Sequence, residues 1–87
     1  MPEPDTTLKE LLQAFLDEHK RRRQTAIFGT RKADESLMAL CEYFKTNTLK
    51  LSDKAKADVR GTLQGMDLLP YRSYCREHLL DIGVTNV

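Results

Sequence analysis

The stretch Thr7-Leu8-Lys9-Glu10-Leu11-Leu12-Gln13-Ala14-Phe15-Leu16-Asp17-Glu18-His19 decides the fold class. Leu8, Leu11, Leu12, Phe15, Leu16 and His19 recur at the i, i+3, i+4, i+7 spacing of one helical face. Thr7 and Glu10 read as a capping box, the hydroxyl taking one free backbone N–H and the carboxylate another. That leaves residues 1–6 as a flexible lead. Lys20-Arg21-Arg22-Arg23 follows where the negative end of the helix dipole favours cations. Ile27 falls about three turns beyond Leu16, which carries the pattern to Phe28, and Gly29 stops it.

The same period recurs downstream. A second helix is expected over Arg31–Thr46, with Thr30 as N-cap, Asp34 and Glu35 in an early turn, and Ala33, Leu37, Leu40, Cys41 and Phe44 inward. Asn47 ends it. Thr48-Leu49-Lys50-Leu51 alternates as a short extended piece, too brief for a sheet. Ser52 caps a third helix through Ala55, Val59, Leu63 and Met66, weakened by Gly61 at about 1 kcal/mol relative to Ala. Gly65–Pro70 turns the chain, with Asp67 as a cap and Pro70 in a first turn. Tyr71, Tyr74, Cys75, His78, Leu79 and Ile82 mark a fourth helix, closed by Gly83 and Val84. The expected fold is all-α, a single compact bundle of about four short helices spanning residues 1–87.

Composition agrees. Among 87 residues there are thirteen leucines against three valines and two isoleucines, a helix-former's bias. Leu, Ile, Val and Phe make up 21 of 87 residues, above the composition of disordered chains. The length excludes α/β barrels and dinucleotide-binding folds. No apolar run approaches the roughly 20 residues needed to span a bilayer, so no membrane partner is expected. Met1-Pro2-Glu3-Pro4-Asp5 is wrong for a secretory signal, and two cysteines far apart make no disulfide framework. A reducing, cytoplasmic setting is expected.

Charge supplies the functional lead. The chain has 14 basic and 13 acidic residues, a formal net charge of +1. Yet Lys20, Arg21, Arg22, Arg23, Arg31 and Lys32 fall within thirteen residues that contain no acid, and the remainder carries −5. One reading is a surface for nucleic-acid phosphates, with Gln24, Thr25 and Thr30 adding neutral hydrogen bonds. A second is contact with an acidic protein surface. A third is a solvated helix end held by pairs such as Asp17–Arg21 and Glu18–Arg22. Four consecutive helical residues fan through about 300°, so the run does not address one ligand as a unit. Arg72 and Arg76, four apart beside Tyr71 and Tyr74, extend the basic surface or border core tyrosines.

Catalytic patterns are missing from the sequence. There is no Gly-rich phosphate loop and no nucleophile elbow. The adjacent acids Asp17-Glu18 and Asp34-Glu35 read as solvated surface. His19, Cys41, Cys75 and His78 lie on inward faces, where a four-ligand zinc site is geometrically conceivable, but the close cysteine pairs of specific zinc motifs are lacking and core packing is the expectation. No cofactor and no metal are expected. Helices three and four do not match a helix-turn-helix: aligning Gly61 puts Asp67 at the apolar anchor, and aligning Gly65 puts Pro70 early in the recognition region.

The Thr7–His19 stretch resembles the opening helix of the core-binding domain of tyrosine recombinases. That resemblance implies a small helical bundle that clamps DNA, without the separate domain bearing those enzymes' catalytic residues. No residue role is transferred by it. The sequence thus points to a non-enzymatic regulator that contacts nucleic-acid backbone through Lys20, Arg21, Arg22, Arg23, Arg31 and Lys32, with Arg72 and Arg76. The alternative is a protein-interaction module or a small phage- or plasmid-type inhibitor, homodimeric in one version, whose partner covers Leu49, Leu51, Leu68 and Leu80.

Overall fold

The computed structural model describes residues 3–25 and 31–87, with side chains of Gln24 and Thr25 excepted. The expected helix extension through Ile27 to Phe28, the stop at Gly29, the Thr30 cap, and the contacts assigned to Gln24 and Thr25 lie outside the described residues. Four α-helices are described: α1 (Pro4–Thr25), α2 (Lys32–Thr46), α3 (Asp53–Gln64) and α4 (Arg72–Asp81), the last entered through a 3₁₀ turn at Leu69–Tyr71. The fold is an all-α bundle, with no strand among the described residues. The radius of gyration is 12.5 Å, against about 12 Å for a compact chain of this length.

The first helix begins earlier than its sequence pattern suggests. Pro4 opens it, since proline's preset φ and missing N–H suit a first turn. The Thr7 amide already bonds the Glu3 carbonyl at 3.0 Å, so Thr7 stands inside the helix and does not cap it. Asp5 in that first turn accepts from the Ser52 amide at 2.9 Å, tying α1 to the start of α3. Hydrogen bonding to Ser52 holds Asp5 below the usual carboxylate range.

One apolar cluster runs through the bundle. Leu8 and Phe15 of α1 meet Ala33, Leu37, Leu40, Cys41 and Phe44 of α2, and Ala55, Val59 and Leu63 of α3 close it with Cys75 and Leu79 of α4. The expected inward face of α2 is buried as read. Two other expectations change. Residues 47–50 form a turn and not an extended piece, and Leu51 and Leu68 are buried, so neither is left over for a partner. Leu49 stays almost fully exposed and Leu80 is 43% exposed.

Caps fix the element ends. The Ser52 hydroxyl accepts from the Ala55 amide at 3.1 Å, and Asp67 Oδ1 accepts from the Leu69 amide at 3.1 Å. At the end of α4, Gly83 adopts φ +90°. Its amide bonds Leu80 O at 3.0 Å, and the Val84 amide bonds Leu79 O at 2.9 Å, the paired pattern of a Schellman stop. Arg60 of α3 donates to the Ile82 carbonyl at 2.7 Å and lies over the Phe44 ring. The last turn of α3 is finished from outside: Asn86 Nδ2 lies within donating distance of the carbonyls of Leu63, Gln64 and Met66, at 3.1, 3.2 and 2.7 Å.

Candidate nucleic-acid interface

The C-terminal end of α1, the N-terminal end of α2 and the entry to α4 meet at one end of the bundle. Three contacts establish this. Arg22 Nη1 lies 3.8 Å from Asp34 Oδ1. The Arg22 guanidinium also sits 5.1 Å from the centroid of the Tyr71 ring, and the Cys75 thiol faces the Asp34 carbonyl at 3.6 Å. The packing of α1 on α2 and of α2 on α4 sets these ends side by side.

Asp34 corrects the sequence reading. It is buried, 8% exposed, where adjacent acids suggested solvated surface. The reason is positional: residue 34 stands three before Leu37 and seven before Cys41, on the inward face of α2. Burying a carboxylate demands a counter-charge, and Arg22 supplies it. The ion pairs of α1 also differ from those expected. Glu18 pairs with Arg21 at 3.3 Å, while Gln13 donates to Asp17 at 2.9 Å. Arg22 is therefore turned toward Asp34 and Tyr71, with about a third of its side chain, 32%, left exposed.

His19 and Tyr71 complete this junction. Tyr71 is fully buried, its ring edge-on to Phe15 with centroids 5.3 Å apart, and its hydroxyl is hydrogen-bonded to His19 Nδ1. Burial holds the Tyr71 phenol above its ordinary value, although Arg22 pulls the other way. Burial, then Arg23 and Arg22, hold the His19 imidazole below its ordinary value. Both shifts favour the neutral forms. Between two neutral groups the hydrogen bond carries no charge, and the tautomer of His19 sets which of them donates.

The other candidate residues fall on two sides of the junction. Arg31, on the N-terminal side of α2, stacks over the Tyr74 ring at 5.2 Å and donates to its hydroxyl at 3.3 Å. Tyr74 is half exposed and borders a shallow groove of about 370 Å³ with Arg72, Ser73, Arg76, Glu77 and His78. Arg31 and the Arg72/Arg76 pair, some forty residues apart in sequence, are thus joined through one aromatic ring. Lys32 is exposed beside Arg31. On the other side, Arg23 borders a cleft with His19 and Asp67, and Lys20 is exposed on α1. Of the two tyrosines, Tyr71 belongs to the core and Tyr74 to the surface.

Both cysteines are buried free thiols. Burial pushes Cys41 up to about 12, and pushes Cys75 up to about 11 with Asp34 adding to the effect. Neither is a thiolate near neutral pH. Among the described residues, no group of three or more His, Cys, Asp or Glu is placed to hold a metal ion. None of their helices is long and apolar enough to cross a membrane.

No family model matches the chain, and neither the curated proteins nor the solved structures compared with it yield a match. The resemblance of Thr7–His19 to the recombinase core-binding domain gains no support from these comparisons, and the chain is an all-α bundle of four short helices among the described residues.

Proposed function

We propose that this protein is a non-enzymatic binding domain that grips nucleic-acid backbone with the basic end of its bundle. The observation that carries this reading is the Arg31–Tyr74 stack, which joins the basic start of α2 to Arg72 and Arg76 along one groove. Arginines separated along the chain and gathered on one face provide bidentate phosphate contacts spaced along a strand. Lys20, Arg21, Arg23 and Lys32 extend the same positive field. Arg22 acts as the strut that fixes α1 to α2 and so sets the spacing between the two sides. The cytoplasmic, reducing setting and a regulatory role belong to this proposal.

Fluorescence anisotropy with a labelled oligonucleotide, titrated over a range of salt, tests it. Affinity falls linearly with salt on logarithmic axes. Arg31→Ala and Arg72→Ala each weaken binding across all sequences and lower the salt slope by about 1. A protein with no affinity for DNA or RNA at low ionic strength would sink the proposal. A second reading rests on a separate observation. Leu49 at 98% exposure and Leu69 at 60% are apolar groups open to a protein partner, with acidic surface or a second copy of the chain as its forms. Light scattering that gives a monomer at every concentration removes the dimer version.

A further inference from the structure

Beside the phosphate-contacting surface lies a cleft of different chemistry. It measures about 430 Å³ and is set between the inner side of α1 and the Gly65–Pro70 turn. That volume is in the range of about 300–1,000 Å³ common for small-molecule sites. Leu16, Met66 and Pro70 give it apolar walls, His19 and Arg23 line it from α1, and Asp67 enters from the turn.

Asp67 is the informative residue. A pocket for a phosphate alone gains nothing from a carboxylate, which repels it. A carboxylate accepts hydrogen bonds, so it favours a ligand that presents N–H or O–H donors, and two such donors side by side most of all. The Leu69 amide already fixes Asp67 through Oδ1, and carboxylate oxygens keep further acceptor sites. The ligand that fits is flat, apolar on its faces, bears two adjacent N–H donors on one edge and carries a phosphate nearby. Guanine has N1–H beside its N2 amino group on the Watson–Crick edge. Adenine, cytosine and uracil each present a single donor group on that edge.

We infer that this cleft takes an unpaired guanine base of a single-stranded nucleic acid, with Asp67 accepting from N1–H and N2–H, Leu16, Met66 and Pro70 against the base faces, and Arg23 on the adjoining phosphate. The strand must be single, because in a duplex that edge is occupied by the paired cytosine. The inference rests on the backbone-binding reading and adds a base preference to it.

The test compares a ten-residue oligothymidine with the same strand carrying one central guanine, by anisotropy, using wild-type protein and Asp67→Asn. Asparagine keeps an oxygen for the Leu69 amide, and thermal melting checks that the fold is retained. The guanine-containing strand is expected to bind about tenfold tighter to wild type, the size of one bidentate pair. Asp67→Asn is expected to erase that preference and to raise the oligothymidine affinity slightly, because a negative charge beside the basic surface is removed. Equal affinity of wild type for the two strands overturns the base inference while leaving the backbone reading in place. Failure of both strands to bind at low salt overturns the backbone reading. The cleft is then decided by guanosine 5′-monophosphate in an amide-resolved NMR titration. Shifts at Gly65, Met66 and Asp67 that cytidine 5′-monophosphate does not produce support it, and their absence overturns it.

Discussion

Arg22 and Asp34 are the pair on which the basic end depends most directly. Removing the Asp34 carboxylate leaves a guanidinium against Tyr71 with its buried counter-charge gone. Arg22 keeps some access to water, so the cost falls below that of a fully buried pair. Asp34→Ala is expected to lower stability by about 1–2 kcal/mol in urea unfolding. Arg23→Ala, on the exposed side of the same run, should stay within about 0.5 kcal/mol of wild type. His19 sets a pH dependence of definite sign. Its folded-state pKa lies below the ordinary 6.5, so the unfolded chain binds the proton first as pH falls. Stability is therefore fully present above 6.5, declines as pH drops below it, and levels off once the folded imidazole also protonates. His19→Gln should flatten that decline in melting temperatures measured between about pH 7 and pH 5. Position 34 shows how much of this was legible. Its helical register with Leu37 and Cys41 was readable in the sequence, but an acid on an inward face discloses its depth only when a partner is known. That partner is twelve residues upstream on another helix.

At the scale of the elements, the glycines separate local preference from tertiary demand. Gly61 lies inside α3, and a Cβ built there meets nothing within 4 Å. Gly61→Ala should stabilise the protein by about 0.5–1 kcal/mol. Gly83 has φ +90°, and a Cβ there would approach Arg60 Nε at 3.3 Å. Gly83→Ala should destabilise by about 1–2 kcal/mol. Chemical denaturation of the two variants checks both signs. The helices themselves were readable because leucine spacing, Ser52 and Gly83 each act within a turn or two of their own position. The start of α1 was less so: Thr7–Glu10 is a sound cap pattern, but Pro4 and the Asp5–Ser52 bond extend the helix past it through a contact forty-seven residues away. The Gly65–Pro70 turn gave no sign of a cleft, since its opposite wall is Leu16, His19 and Arg23 of α1.

For the whole molecule, a net charge of +1 describes nothing that a ligand meets. The ends differ in charge and in chemistry. Lys45 and Asp81 join α2 and α4 at the far end, 3.3 Å apart and well exposed, a pair worth little to stability. Lys50 lies in the adjacent turn. Lys50→Ala should leave oligonucleotide affinity nearly unchanged, while Arg31→Ala lowers it, in parallel anisotropy titrations at one salt concentration. Equal losses from both would mean diffuse attraction with no face preferred. The sequence located the basic run but not its division, because the turning of Arg22 toward Asp34 and of Arg31 toward Tyr74 depends on how three helix ends assemble.

Asn86 has a consequence for the order in which the chain becomes a folded object. A ribosome delivers α1, α2 and α3 first, yet the side-chain amide whose two hydrogens are shared among the carbonyls of Leu63, Gln64 and Met66 belongs to a residue twenty or more positions later. Until then Leu63 O has only the backbone amides that follow it, the Met66 amide at 3.2 Å among them. That capping is complete only when the segment after α4 has docked, which ties the end of α3 to the residues that follow α4.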